Sequence, residues 1–356
     1  MRELLRRLAG LGPGDAPVLS VYLDMRPHGT EPALRPGLLL LKERLRAIEK
    51  TLWPRGVAYD SVRADAVRIA RYLDDVPSDA QGVALFTCAA GDLFETVTVG
   101  VPFENQVVAA PVPDLFQPAR LLDEQETVLV AVVDTNTARI FVTRTGYLDE
   151  VGGPDDKNTK YYRKVSLGGL NEARYQRHAD ERRAEFAREA AAELERVVDQ
   201  EDAARVILAG DEVALPLLRT ALSSRVTALL HDEVLRFDIR APRDEVQTEL
   251  APLLAQARAE DAHSLADQLI HAVQSSGLGV FGVDPTRTAL EHGQVDVLLL
   301  APAAEVDEEG RRALIRLATT TGAEVAVVEQ HALFQRLGGV GALLRYRHAA
   351  PEPATP

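Results

Sequence analysis

The sequence predicts an α/β protein built of layered domains, because strand-sized apolar runs alternate with amphipathic helices along its whole length. Three observations carry that reading. Apolar runs such as 82–89, 127–134, 205–210 and 295–300 are rich in branched residues and are closed by turn formers. Between them, apolar residues recur three and four apart, as at Leu38, Leu41, Leu45, Ile48 and Leu52. Glycine and proline clusters then divide the alternation into three blocks. At 356 residues the chain has room for two or three domains.

The first block, 1–125, opens with a strand at 18–23 and two helices, the second carrying Val62, Ala66, Ile69 and Leu73 on one face. The run 82–89 and the segment 93–99, joined through Gly91-Asp92, form a hairpin. Prolines at 102, 111, 113 and 118 then break regular structure, and a linker or domain edge is expected near 125. The second block, 126–241, starts with the strand 127–134, apolar enough to be central in a sheet. A return strand at 138–142 follows. A helix from about 171 to 198 buries Phe186, Ala190, Leu194 and Val197, then come a strand at 205–210 and a helix over 215–230 bent near Pro216. The third block, 242–348, has a helix at 246–275, a short helix at 285–291 and a strand at 295–300. A helix over 308–320 is stopped by Gly322, strand 323–329 follows, and a glycine turn leads into the last strand. The tail 349–356 is expected to be disordered.

Composition removes several function classes. No apolar run approaches the roughly 20 residues of a membrane span, and no signal peptide is read at the N-terminus, so the expectation is a chain without a membrane partner. One cysteine, Cys88, excludes an intramolecular disulfide and a Cys-rich metal site, and it points to the cytoplasm. The net charge of -14 argues against coating DNA. The eight histidines have no metal-site spacing, and no nucleotide loop is read at Gly277-Leu278-Gly279, which leaves no metal or cofactor expected. Asp134 ends a buried strand where some nucleases hold a metal, but a strand-end turn former is the ordinary role of such a residue. Ser275-Ser276-Gly277 lacks a nucleophile-elbow context.

One stretch reverses the sign of the chain. Lys157, Lys160, Arg163, Lys164, Arg174 and Arg177 crowd 157–177 with Glu172 as the only acid among them. Three of the five lysines of the protein lie here, beside Tyr161, Tyr162 and the pair Gly168-Gly169. Basic residues with aromatics and a flexible tip suit a polyanion; the plainer alternative is a solvated loop before an Arg-rich helix. On that helix Arg182, Arg183 and Arg188 are interleaved with Glu181, Glu185 and Glu189 and suit intrahelical pairs.

Motifs in the third block sharpen the reading. Val280-Phe281-Gly282-Val283-Asp284, Ala289 to Asp296, Thr321 to Val325 and Leu337 to Tyr346 stand in an order and spacing that resembles the C-terminal domain of archaeal and eukaryotic class-1 peptide-chain release factors and of Pelota. The resemblance implies an L7Ae-like fold for 242–348 and a partner there, often a translational GTPase. The second block then resembles the RNase H-like central domain of that family, whose Gly-Gly-Gln loop opens a long helix; here Gly168-Gly169-Leu170-Asn171-Glu172-Ala173-Arg174-Tyr175 has the same spacing. In the family this tip enters the peptidyl transferase centre and helps water attack the ester between peptide and tRNA. The similarity therefore implies a ribosomal partner, met through rRNA and the tRNA acceptor end, and a peptidyl-tRNA hydrolase of ribosome rescue and quality control.

The glutamine position holds Leu170, which has no side-chain hydrogen bond to give. Gly168 and Gly169 can still bring backbone N–H groups to a developing oxyanion. Glu172 is the candidate base or water-positioner and Asn171 the neutral second choice. Lys157, Lys160, Arg163, Lys164, Arg174, Tyr175 and Arg177 are the candidate RNA contacts. A non-hydrolytic rescue or hibernation factor of Pelota type is the alternative implied by the missing glutamine, and an interaction module unrelated to ribosomes is a third class. No motif in 1–125 matches a stop-codon-reading domain.

Overall fold

The computed structural model describes residues 1–26, 36–123, 127–144, 146–154, 170–236 and 238–346. Two compact units emerge, one formed by 1–124 together with 254–356, the other by 125–253. Three four-stranded sheets run through the described residues.

In the N-terminal segment, α1 (Arg2–Ala9) is amphipathic and buries Leu5, Leu8 and Ala9. Strand β1 (Val18–Asp24) is buried along its whole length. It is followed by the helix pair α2 (Pro36–Thr51) and α3 (Val57–Asp74), then β2 (Gly82–Cys88) and β3 (Leu93–Val99). Cys88 is buried and directs its thiol at the Ala16 carbonyl at 3.8 Å, packing as a small hydrophobe. The proline-rich stretch does not stay irregular. It supplies β4 (Gln106–Ala110), antiparallel to β1, and α4 (Phe116–Asp123). Tertiary contacts override the local proline signal: Pro111 and Pro113 sit between the two elements, and Pro118 lies in the first turn of α4, where no helical N–H is needed. The sheet order is β3-β2-β1-β4, antiparallel throughout.

The central unit contains β5 (Val128–Val133), β6 (Ala138–Arg144) and β7 (Tyr147–Gly152), then α5 (Leu170–Glu201) and β8 (Arg205–Gly210). Strand β5 is fully buried and interior, in the order β7-β6-β5-β8, antiparallel to β6 and parallel to β8. Single parallel bridges from Leu230 to Val206 and from Leu235 to Ala209 add a ragged fifth strand outside β8. A three-stranded antiparallel edge followed by a parallel strand and a further parallel edge is the arrangement of an RNase H-like sheet. The helix expected over 215–230 is two helices, α6 (Ala214–Ala221) and α7 (Ser224–Thr227). Leu222 is extended there, and the Ser223 hydroxyl accepts from Val226 N to start the second helix. Pro216 falls in the first turn of α6, where no helical N–H is needed.

Helix α8 (Arg243–Gln274) carries Pro252 inside it and leads into the C-terminal segment. There β9 (Gly279–Phe281), α9 (Val283–Glu291), β10 (Val295–Leu300), α10 (Glu308–Thr321), β11 (Glu324–Val327), α11 (Ala332–Arg336) and β12 (Val340–Leu344) follow. Gly322 ends α10 in the left-handed region at φ 71°, the stop expected from sequence. The order is β11-β10-β12-β9, with only β10 and β11 parallel.

The first unit is held by a core that joins both ends of the chain. Leu5, Leu8, Tyr22, Phe86 and Leu115 belong to one buried cluster with Leu290, Leu298, Leu314, Ile315 and Ala342. Helix α1 packs on α10, and α4 packs on β11 and α10. Polar contacts follow the same seam: Tyr22 donates to the Asp114 carbonyl, and the Arg312 guanidinium stands 3.9 Å from the Asp114 carboxylate and 3.6 Å from Glu308. Burial pushes the Tyr22 phenol well above its ordinary pKa, with the Asp114 charge adding to it.

Candidate nucleic-acid interface

Helix α5 positions the basic stretch. Its second half is the anchored part, with Phe186, Ala190, Ala191, Leu194, Val197 and Val198 packed in the core of the central unit. Before Phe186 the side chains change character: Arg177, His178, Asp180, Glu181 and Arg182 are exposed. At 1.5 Å per residue, the helix start at Leu170 lies about 24 Å along the axis from Phe186. The helix therefore carries its own N-terminus well past the part that the core holds.

The sequence candidates divide along this helix. Lys157, Lys160, Arg163, Lys164, Gly168 and Gly169 lie outside the described residues. Asn171, Glu172, Arg174 and Tyr175 fall within the first two turns of α5, Glu172 as its third residue. Arg177 is exposed on the following turn. Further along, His178 lies 3.4 Å from Glu181 and Arg183 lies 3.3 Å from Asp180, both three residues apart and solvent-exposed. Such pairs contribute roughly a few tenths of a kcal/mol each, so they orient side chains more than they stabilise the helix.

The other candidates resolve as structural parts. Asp134 Oδ1 accepts from Asn136 N at 2.7 Å and Thr137 N at 2.6 Å, closing the turn between β5 and β6. Among the described residues no group of three His, Cys, Asp or Glu side chains is placed to hold a metal. His263 is more than a plain surface histidine, since its Nε2 lies 2.7 Å from the Glu329 carbonyl and its ring meets His331 edge-on at 5.4 Å. Ser275 donates to the His271 and Ala272 carbonyls at the end of α8. No helix among the described residues is long and apolar enough to cross a membrane.

Two arrangements were not visible in the sequence. Arg139 on β6 makes a forked pair with Glu150 on β7, at 3.0 and 2.8 Å, and donates from Nη1 to the carbonyls of Ile239 and Ala241 at 3.0 and 2.7 Å. The pair raises the pKa of Arg139 and holds the Glu150 carboxyl below its ordinary range. Trp53, the single tryptophan of the chain, is 85% exposed between α2 and α3. A lone aromatic in Leu52-Trp53-Pro54-Arg55-Gly56, between two helical stripes, is the signal that would have found it.

Two stretches of the chain match known family models. Residues 259–348 match the family model for eRF1 domain 3, and residues 113–258 match that for bacterial archaeo-eukaryotic release factor family 10. Together these matches support likeness to a Pelota- and aRF1-like release factor family. More closely, residues 113–258 resemble the bacterial archaeo-eukaryotic release factor family 10, and the match runs through the Gly-Gly segment and into α8. A curated relative, the Pelota homologue of the archaeon Methanocaldococcus jannaschii, is 25% identical over 227 residues, which cover 62% of this chain and 61% of that protein. The chain thus spans about three fifths of that relative's length. Among solved structures, Saccharomyces cerevisiae Dom34, described as a translation termination-like factor interacting with Hbs1, aligns with a TM-score of 0.41 at 10% identity, covering 74% of this chain and 81% of that one. A model of ribosome-bound archaeal Pelota and ABCE1 aligns at a TM-score of 0.41 and 14% identity, covering 98% and 94%.

Proposed function

We propose that this protein is a ribosome-rescue factor that hydrolyses the ester of peptidyl-tRNA on stalled ribosomes. The observation that carries the reading is the family 10 match across 113–258, within which α5 opens at Leu170, the residue directly after Gly168-Gly169. In this reading the helix delivers the Gly-Gly tip to the ester. Backbone N–H groups of Gly168 and Gly169 stabilise the oxyanion that forms as water adds to the ester carbonyl. Glu172 takes the proton from that water, and the tRNA 3′ oxygen leaves and is protonated in turn. Asn171 is the neutral group nearest this role. Lys157, Lys160, Arg163, Lys164, Arg174, Tyr175 and Arg177 hold phosphate and base surfaces of rRNA and the tRNA acceptor end. The C-terminal segment, matched to eRF1 domain 3 and expected to be L7Ae-like, is the face offered to a translational GTPase.

A second reading rests on one residue. Leu170 stands where the family loop has glutamine, which favours a factor that occupies the ribosomal A site without hydrolysis. Peptide release from purified bacterial ribosomes carrying labelled peptidyl-tRNA separates the two. Release by wild type that is lost in Gly169→Ala supports hydrolysis, and Glu172→Gln then tests the carboxylate. No release, with cosedimentation that is lost when the basic residues are removed, supports occupancy alone. Neither release nor cosedimentation would sink both readings.

A further inference from the structure

We propose that the helix pair α2–α3 is a second nucleic-acid surface, on which an unpaired RNA nucleotide stacks on Trp53 while the neighbouring phosphates lie along Lys50, Arg46 and Lys42. The proposal goes beyond the Gly-Gly tip and needs neither hydrolysis nor any residue of 155–177.

The first observation is the tryptophan itself. An indole 85% exposed leaves a large apolar face in water, and it is the most exposed large hydrophobic side chain among the described residues. It is not alone on this element. Leu39, Val57 and Val67 on the same two helices are also more than half exposed, while Leu41, Leu45, Val62 and Ile69 supply the buried stripe against β1 and β2. The exposed positions are thus a surplus that the fold does not use.

The second observation is charge. Between Lys42 and Arg71 the chain has eight basic and four acidic residues, a reversal of the overall -14. Lys42, Arg46 and Lys50 stand four apart on α2, all exposed, and so form a row with steps of about 6 Å along the axis that ends at the turn bearing Trp53. None of the three makes an ion pair among the described residues. Like charges four apart on a helix repel one another, and a row of phosphates would relieve that repulsion. Charge and ring together select the occupant. A bare polyanion has no use for the indole, and an apolar partner face would desolvate the cations. Single-stranded RNA satisfies both, because phosphates and unpaired bases alternate along it.

The third observation is strain. The turn is closed by Gly56 N donating to the Trp53 carbonyl at 3.1 Å, and within it Arg55 holds φ 63°, a left-handed conformation that a side-chain-bearing residue adopts at a cost. Trp53, Pro54 and Arg55 are consecutive and all exposed at this tip. The backbone thus accepts strain at a place where no buried contact is gained, and it presents an aromatic and a cation side by side.

Because Trp53 is the only tryptophan, its emission reports this surface and no other. The full-length protein is titrated with a 12-nucleotide oligo(U), an RNA duplex and heparin, following both tryptophan emission and the anisotropy of labelled oligo(U). The expected result is quenching by oligo(U) and not by heparin, with affinity about tenfold weaker in Trp53→Ala and largely kept in Trp53→Phe. Reversing Lys42, Arg46 and Lys50 to Glu should lower the log–log salt slope by about 2, while reversing Lys157, Lys160 and Lys164 leaves the quench in place. No quenching by oligo(U) overturns the proposal. So does equal quenching by heparin with Trp53→Ala binding like wild type, which would make the surface a general polyanion contact. Circular dichroism of each variant separates loss of binding from loss of fold. Peptide release is untouched by either outcome, so this surface and the Gly-Gly reading fail independently.

Discussion

Replacing Arg139 by methionine tests what holds the strap 238–241 to the central sheet. Methionine keeps much of the volume and the packing over Phe141, whose ring lies 4.8 Å from the guanidinium carbon. It removes two different interactions. The pair with Glu150 is forked, but the Glu150 side chain is 44% exposed, so solvent screening limits it to about 0.5–1 kcal/mol. The two donations to the Ile239 and Ala241 carbonyls are charge-assisted, and Ala241 is buried, so their loss leaves carbonyls with nothing to replace the guanidinium. That part costs about 2–3 kcal/mol. Arg139→Met should therefore destabilise the central unit by about 3 kcal/mol, and Glu150→Gln by less than about 1. The pH dependence separates them again. Arg139 holds the Glu150 carboxyl low, so the ion-pair contribution is present above the ordinary carboxylate pKa and is lost as the pH falls through the lowered value. The carbonyl contribution persists in acid, because the guanidinium stays charged. Urea-dependent hydrogen exchange of β6, β7 and the start of α8 reads the central unit separately from the other. A Glu150→Gln cost equal to that of Arg139→Met, or an Arg139→Met cost that disappears at low pH, would refute the assignment to the carbonyls.

Other expectations follow from the same contacts. Asp65 is fully buried, accepts from Ala89 N at 3.0 Å, and leaves Oδ1 without a hydrogen bond, with Thr87 near enough to lower its pKa but closing no bond. Burial nonetheless raises its pKa, so Asp65→Ala should cost about 2–3 kcal/mol while Asp65→Asn stays within about 1 of wild type at neutral pH. The charged form carries the penalty, which is absent below the unfolded pKa and complete above the raised folded one. Any advantage of Asp65→Asn in denaturant should therefore shrink on acidification. Gly210→Ala should prevent the central unit from folding, seen as loss of its exchange protection, because a Cβ there would stand 1.9 Å from the Val133 carbonyl oxygen at φ 126°. Ser223→Ala removes the cap of α7 and should cost about 1 kcal/mol, read as faster exchange in 224–230.

Much of this architecture is legible in the sequence where an element carries its own signal. Strands β5, β8 and β10 are dense apolar runs, and α5 shows a stripe that matches the residues it buries. The elements that escape notice are short and depend on distant partners. Helix α1 has three buried residues, and α4 follows a proline-rich stretch; both pack against the C-terminal segment, which no local window contains. Strand β7 has only one fully covered side chain, Leu148, and alternates weakly. The break between α6 and α7 depends on a serine choosing to cap rather than to continue. At the candidate site, glycine spacing and charge located the start of α5, whereas the exposed Trp53 is meaningful only once the turn around it is seen to leave it uncovered.

The core that joins the two ends of the chain has a consequence for biogenesis. Leu5, Leu8 and Leu115 emerge early in synthesis, but Leu314, Ile315 and Ala342 are made last. Until then the nascent N-terminal segment has an uncovered oily face and must wait while the whole central unit is translated. A truncated product of this gene would therefore be sticky rather than merely shorter, and a clear substrate for chaperones and proteases. A factor proposed to serve stalled ribosomes would thus itself depend on its own translation running to the end.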